Sequence, residues 1–408
     1  MINKKKVIKR IVMIIMLIIM LIIAVIITRL SSITNKLEID DKFHSYNDSE
    51  IGINSGIDYK FKENMELYTN IAVFGLDNRS ANNYDTGNTD TIMIVSVNNK
   101  TKNIKIVSVY RDTYLKVNTN NKYFKVNSAY SIGGVENAVR TLNENLDLNI
   151  SDYVCVDWRA VINAVDKLGG VEVNITSEEQ RLINKYLEET AKAAGQSAKY
   201  VQNSGNVLLN GAQATSYARI RKTAGNDYKR TSRQRIVIQA MFEKAKKTDI
   251  ITLSNMCDTI FEDIKTSLSL NDIIELASDI NKYNLKSTSG FPFDLTTKLI
   301  DNVGDSVIPI TLESNVIELH KYLFDESNYK VSNTVYNISN TIKNDTGINE
   351  TTISNNTDKF NETAGINGTA ELNNKNNENT SNNDSIVPNN IIYNKFHNIN
   401  ILYSFYIQ

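Results

Sequence analysis

Histidine, cysteine and proline are nearly missing from this 408-residue chain, which has three His, two Cys and three Pro. The histidines, His44, His320 and His397, lie outside every polar cluster of the sequence, which argues against a Ser-His-Asp or Cys-His triad. Cys155 and Cys257 supply neither a disulfide framework nor a zinc-ligand spacing. Cys155 falls inside an apolar run and reads as a buried apolar side chain. No GxxxxGK phosphate loop occurs, and the pairs Gly133–Gly134 and Gly169–Gly170 read as turn formers. A formal net charge of −1 also argues against a nucleic-acid binder, whose domain is usually strongly basic.

What is present starts at the N-terminus. "MINKKKVIKR" precedes an unbroken apolar run, "IVMIIMLIIMLIIAVII" (Ile11–Ile27). A bilayer core takes roughly 17–25 helical residues, so the run predicts a single transmembrane helix. Its basic flank stays in the cytoplasm and the remainder lies outside. No A-x-A cleavage pattern follows Ile27, so an uncleaved anchor is read ahead of a cleaved signal peptide. Residues 1–30 are thus the basic start and anchor, and the polar residues 31–65 an extracellular stalk. Residues 66–325 form the folded domain and residues 326–408 an Asn-rich tail. From Asn333 to Asn390 the chain is too polar to bury enough apolar area to offset its ordering entropy, and it reads as disordered. The last stretch, "IIYNKFHNINILYSFYIQ", is apolar again and either docks on the domain or is an unselected end.

Within the domain, Asn70–Asp77, Asp90–Asn98 and Asn103–Asp112 are short β-branched runs that predict buried strands, the last two joined by a hairpin at Asn99–Lys102. Helical spacing follows over Gly133–Leu146, a strand over Asp152–Trp158, a helix ended by Gly169–Gly170, and a strand over Val171–Thr176. A helix is expected over Arg230–Lys247 with Ile236, Val237, Ala240 and Met241 facing inward, and another over Ser269–Tyr283 capped by Asn271. The order predicts an α/β fold: a layered α-β-α domain with a central mixed, largely buried sheet, behind the single N-terminal transmembrane helix.

Three segments carry charge in a way that invites chemistry. In "GLDNRSANNYDTGNTDT", Asp77 ends one strand and Asp90 opens the next, so both carboxylates come to one sheet edge. Such hard oxygens suit Mg²⁺; the ordinary alternative is a pair of residues satisfying backbone amides. In "VSVYRDT", Arg111 and Asp112 end a buried strand, either as an internal ion pair or with the guanidinium fork presented to phosphate. The third segment is "YARIRKTAGNDYKRTSRQR" (Tyr217–Arg235). Arg219 and Arg221 alternate and would share a face if extended, while Arg230, Arg233 and Gln234 share a helix face beside a positive N-terminus. The alternative is a solvated basic face. Asp227 is the one acid between Arg219 and Arg235.

Taken in order, "FGLDNR", "NTDTIMIVSVN", "SVYRDTYLKV", "KVNSAY", "DYVCVDW", "DKLGGVEVNI", "LLNGAQATSYARIRK" and "NDYKRTSRQR" resemble the LytR-CpsA-Psr family of membrane-anchored cell-wall glycopolymer ligases over about residues 68–245. The resemblance implies Mg²⁺-dependent transfer of an anionic glycopolymer, such as wall teichoic acid or capsule, from a polyprenyl-pyrophosphate carrier to peptidoglycan. It implies a lipid tunnel between sheet and helices, and a location on the outer face of a bacterial, Gram-positive cell membrane. It places Asp77 and Asp90 at metal-associated positions. Arg79, Arg111, Arg219, Arg221, Arg230 and Arg233 fall at pyrophosphate-facing positions, with Gln234 beside them. Two departures stand out: Tyr110 occupies a place where family members commonly have proline, and Asn210 one where an acid is frequent.

On this reading Arg111, Arg219 and Arg221 stabilise the transferring phosphoryl group, and Asp227 either accepts the attacking hydroxyl's proton or orients Arg230 and caps the helix. Neighbouring cations are expected to lower its pKa and make it a poor base unless pyrophosphate neutralises them. The competing readings are a pyrophosphate hydrolase, a lipid- or wall-binding module without turnover, and a nucleic-acid-binding regulator. The anchor and the lack of a recognition helix argue against the last, so no nucleic-acid partner is expected.

Overall fold

The computed structural model of the chain describes residues 38–349 apart from 77–83, 85–86, 119, 222–225, 250–251, 254–255 and 257–258. The apolar run Ile11–Ile27 lies outside these residues; among them, no helix is long and apolar enough to cross a membrane. The described residues begin with β1 (Glu38–Ile39) and α1 (Tyr59–Glu66), then a meander of β2 (Tyr68–Leu76), β3 (Thr89–Asn98) and β4 (Asn103–Val109). The small hairpin β5 (Tyr114–Lys116) and β6 (Tyr123–Lys125) leads into α2 (Ser128–Leu146), β7 (Asp152–Val156) and α3 (Trp158–Lys167). Next come β8 (Val171–Ile175), α4 (Ser177–Ala193), β9 (Gly205–Leu209), α5 (Gly211–Ala218) and α6 (Asn226–Lys246). β10 (Ile264–Thr266), α7 (Leu270–Ser278) and β11 (Asn284–Phe291) follow. The hairpin β12 (Leu295–Ile300) and β13 (Gly304–Pro309) precedes α8 (Leu312–Phe324) and α9 (Asn333–Thr346).

Seven strands form the central sheet in the order β1-β10-β7-β2-β3-β4-β11. It is mixed: β2 runs parallel to β7 and antiparallel to β3, and β4 pairs parallel with β11. Alternation puts Ala72, Phe74, Leu76, Ile92, Ile94, Val107 and Val109 on one face, in a continuous core with Val139 and Leu142 of α2 and Val316 and Leu319 of α8. The Val, Leu, Ile and Phe side chains among these contribute roughly 1.5–3 kcal/mol each when fully buried. A second cluster, from Val165, Val171, Leu182, Leu209, Tyr217, Ile220 and Val237, locks α3 through α6 together. It fixes the direction in which the basic segment leaves α5.

Both ends of the folded region extend beyond the expected 66–325. Phe43, Ile51, Ile57, Phe61 and Met65, from the presumed stalk, are buried in the main core. Val335, Ile338 and Ile342 of α9, from the presumed disordered tail, are buried there too. Buried Asp147 ties these ends down: it accepts from Asn54 Nδ2 at 2.7 Å, Ser332 N at 2.7 Å and Ser332 Oγ at 2.6 Å.

Local signals shift other boundaries. Ser269, not Asn271, caps α7, its side chain accepting from the Asp272 amide. α2 starts at Ser128 and is kinked at Gly133–Gly134, so the expected start was the kink. α6 starts one turn before Arg230, and Ile236 on it is 39% exposed rather than inward, while Val237 is buried. Asn210 caps α5 in a reciprocal box with Gln213, so an amide serves where an acid is frequent.

Candidate active site

The antiparallel register pairs Met93 of β3 with Ser108 of β4, and continuing it sets Asp90 opposite Arg111 at the sheet edge. Arg111 Nη1 donates to Asp90 Oδ1 at 2.6 Å. Its Nε faces Asp112 Oδ2 at 3.3 Å and Asp227 Oδ1 at 3.4 Å, so one guanidinium joins three carboxylates. Asp112 also pairs with Lys125 Nζ at 3.2 Å.

The basic segment arrives from the other side. Ile220 is fully buried in the second cluster, and the next residue, Arg221, pairs with Asp90 Oδ2. The first turn of α6 brings Asp227 and Arg230. Arg230 Nη2 bonds Asp227 Oδ1 at 2.8 Å and the Asp90 carbonyl at 3.1 Å, with Nη1 4.0 Å from Asp90 Oδ2. Arg230 is 1% exposed, and its Nε and Nη1 have no hydrogen-bond partner among the described residues. A buried donor left so costs about 1–3 kcal/mol. Asp90, Arg111 and Arg221, with Asn88 and Asn127, line a polar pocket of about 300 Å³.

Burial raises the Asp90 carboxyl, but Arg221, Arg230 and Arg111 outweigh it and hold the group below its ordinary value. Asp227 goes the other way. Burial dominates over Arg230 and Arg111 and pushes its carboxyl up, which corrects the expectation that neighbouring cations depress it. Its Oδ2 is buried without a hydrogen-bond partner among the described residues. Burial also lowers Arg230 from its usual value.

Arg219 and Arg221 do not share a face. Arg219 is the helical C-cap of α5, not part of an extended segment. Its guanidinium stacks 3.4 Å over the Trp158 ring and donates to Thr190 Oγ1 at 2.6 Å, with Glu189 at 3.3 Å. Arg233 also leaves the Asp90 cluster: its Nε bonds Glu179 at 2.8 Å and its Nη1 the Ile220 carbonyl at 3.2 Å. Gln234 Oε1 is buried without a hydrogen-bond partner among the described residues. Asp77 and Arg79 lie outside the described residues. Among those, no group of three or more His, Cys, Asp or Glu is disposed to hold a metal ion.

Sequence reading did not single out Asn88, Asn127 or Lys125. Asn88 stands just ahead of β3, two residues before Asp90, and Asn127 and Lys125 lie in the quoted "KVNSAY" motif, where their charge and amide alone gave no sign of a shared site. Tyr110 leaves Arg111 and Asp112 in place, its carbonyl closing a turn by accepting from Thr113 N at 2.9 Å.

The LytR_cpsA_psr family model matches residues 21–314. The polyisoprenyl-teichoic acid–peptidoglycan teichoic acid transferase TagU of Bacillus subtilis is 29% identical over 261 residues, covering 60% of this chain and 79% of that protein. TagU of Bacillus licheniformis is 31% identical over 210 residues, 51% of this chain and 62% of that protein. Among solved structures, B. subtilis TagV shares the fold at a TM-score of 0.51 and 21% identity, covering 65% of this chain and 98% of that one.

Proposed function

The chain belongs to the LytR-CpsA-Psr family, and from that premise we propose that it is a phosphotransferase moving an anionic glycopolymer from a polyprenyl-pyrophosphate carrier to peptidoglycan. Its relatives are named teichoic acid transferases, which makes a teichoic-acid-like donor the first candidate. The apolar run Ile11–Ile27 would hold the domain at the outer face of the cell membrane.

One observation carries the reading: Arg230 is buried with two donors, Nε and Nη1, that have no hydrogen-bond partner among the described residues, beside a pocket that Arg111 and Arg221 line. Three guanidiniums on separate parts of the chain, fixed before substrate arrives, are what a pyrophosphate needs. Phosphoryl transfer calls for charge stabilisation and in-line positioning more than for covalent help. Arg111 and Arg221 would exchange part of their bonding to Asp90 for phosphoryl oxygens, the guanidinium fork matching two at once. An acceptor hydroxyl then attacks the glycan-side phosphorus, the bond to the leaving polyprenyl phosphate breaks, and the hydroxyl proton passes to Asp227. A raised pKa makes Asp227 a better proton acceptor than an ordinary carboxylate. Its Oδ1 stays anchored to Arg230 and Arg111, and the buried Oδ2, with no hydrogen-bond partner among the described residues, would take the proton once the turn admits the acceptor.

The donor chemistry fits Mg²⁺: the Asp90 carboxylate and the amides of Asn88 and Asn127 share one pocket, and Mg²⁺ takes hard oxygens. Asp90 would hold it together with Asp77. When bound, it supplies charge neutralisation at the phosphoryl oxygens.

The test incubates purified protein with a defined polyprenyl-pyrophosphate glycan and peptidoglycan. Linked product supports the reading. Free glycan phosphate without linkage would instead make the protein a hydrolase, and retained carrier with neither product a binding module.

A further inference from the structure

Tyr110 directly precedes Arg111, and Tyr228 directly follows Asp227. Their rings meet edge to face, with centroids 4.7 Å apart and planes at 83°. The Arg111–Asp227 ion pair is therefore doubled by an aromatic contact one residue away on each strand of chain. The Tyr110 side is rigid: its amide donates to the Phe291 carbonyl at 2.9 Å, and its own carbonyl accepts from Thr113 Oγ1 at 2.6 Å. Its hydroxyl lies over Gly290 of β11, where an added Cβ would come within 2.1 Å of it. Glycine at that position leaves the room that the phenol occupies. On the other side, Tyr228 Oη has no hydrogen-bond partner among the described residues, so Tyr228 contributes its ring and not its hydroxyl.

We propose that Tyr110 and Tyr228 form an aromatic clasp that seats the first turn of α6 on the end of β4, and so positions Asp227 and Arg230 for the transfer. This rests on the reading given above. Described contacts of this turn include Tyr228 on Tyr110, Asp227 on Arg111 and Arg230 on Asp90. The two ion pairs are what substrate would disturb by drawing on the arginines. The aromatic contact carries no charge and would keep the turn in register while they exchange partners. Misplacing a reacting group by about 1 Å can cost on the order of 100-fold in rate.

The test uses the full chain in detergent and compares Tyr110→Leu and Tyr228→Leu with Tyr110→Phe and Tyr228→Phe. The leucine variants are expected to lower kcat by about 10- to 100-fold with the KM for peptidoglycan within about threefold, and the phenylalanine variants to stay near wild type. Gly290→Ala, which pushes the Tyr110 ring aside, should lower kcat as well. Combined with Tyr110→Leu it should cause no further loss, because the two changes act on one contact. Wild-type kcat in the leucine variants, equal losses in the phenylalanine variants, or additive losses in the double variant would each overturn the clasp. Thermal melts identify any variant that fails to fold; should a leucine variant fail, Gly290→Ala alone decides, its wild-type kcat overturning the clasp. Should wild-type protein form no linked product, the functional reading falls, and inorganic pyrophosphate binding measured by calorimetry judges the clasp alone. Leucine variants at least about tenfold weaker than wild type and phenylalanine variants would support it, and equal affinities would refute it.

Discussion

Arg111 Nη1 donates to Asp90 Oδ1 over 2.6 Å across the β3–β4 edge, the two residues standing opposite one another in the extended strand register. The pair turns an ordinary antiparallel edge into the floor of a charged pocket. Arg111→Ala should lower transfer by roughly 100- to 1,000-fold, the scale for losing one preorganised donor. It should also cost stability by about 1–3 kcal/mol, because Asp90, Asp112 and Asp227 would lose their shared cation. Arg111→Lys should recover stability better than activity, since an ammonium lacks the bidentate fork. Kinetics and urea titrations of the two variants separate these effects.

Arg219 and Arg221 are neighbours in sequence with different surroundings. Arg219→Ala should remove the stack on Trp158, the chain's single tryptophan, shift its emission and cost about 1–2 kcal/mol. Arg221→Ala should leave emission and melting temperature close to wild type while weakening donor binding. Fluorescence and calorimetry on the two proteins check the split; identical emission changes would show that the two side chains share one environment.

Asp227 makes activity and stability depend on pH in a defined direction. Its carboxyl sits above the ordinary value because of burial. As proton acceptor it must be ionised, so kcat should fall as pH drops through that raised value, and Asp227→Asn should lose about 100-fold or more. For stability the sign follows from proton binding: the native form holds this proton more tightly than the unfolded chain. Its contribution is present below the unfolded pKa and is lost as pH rises through the native one. The stability of Asp227→Asn relative to wild type should therefore rise with pH, from the ordinary carboxylate value up through the raised native one. Urea midpoints across that range measure it, and a relative stability that falls with pH would contradict the burial argument.

Asp147 and α9 set where the folded region stops. Asp147→Asn would place amide hydrogens against the Asn54 and Ser332 donors and should cost about 1–3 kcal/mol. Ile338→Ala should cost about 2–5 kcal/mol by leaving a cavity under α9. Unchanged urea midpoints in both would mean that α9 does not pack on the core in solution.

The four central strands β2, β3, β4 and β7 were legible because they are dense β-branched runs, whereas β1, β10 and β11 were not. Arg111 was read with Asp112 rather than with Asp90, which only the β3–β4 register sets opposite it. The N-terminal segment was not legible either: Phe43, Ile51, Ile57 and Phe61 are spread among polar residues with no constant period, and only the tertiary core gathers them. α9 did carry a signal. Val335, Ile338 and Ile342 keep i, i+3, i+7 spacing between a Ser332 cap and Gly347, but the surrounding asparagines masked it. The parting of Arg219 from Arg221 could not be read, because it depends on α5 ending at Ala218 and on a tryptophan about sixty residues earlier in the chain. The raised pKa of Asp227 had the same origin. Charge neighbours are visible in sequence, whereas burial, which decides the direction, is not.

The central claim is that Arg230, buried with two donors that have no hydrogen-bond partner among the described residues, completes a pyrophosphate clamp with Arg111 and Arg221. Single-turnover assays with a polyprenyl-pyrophosphate glycan, peptidoglycan and Mg²⁺ test it most directly, on wild type and Arg230→Ala side by side, with melting curves for both. The prediction is linked product from wild type, its loss on chelation of the metal, and a drop of roughly 100-fold or more in Arg230→Ala while the protein stays folded. Wild-type rates in a folded Arg230→Ala would contradict the account.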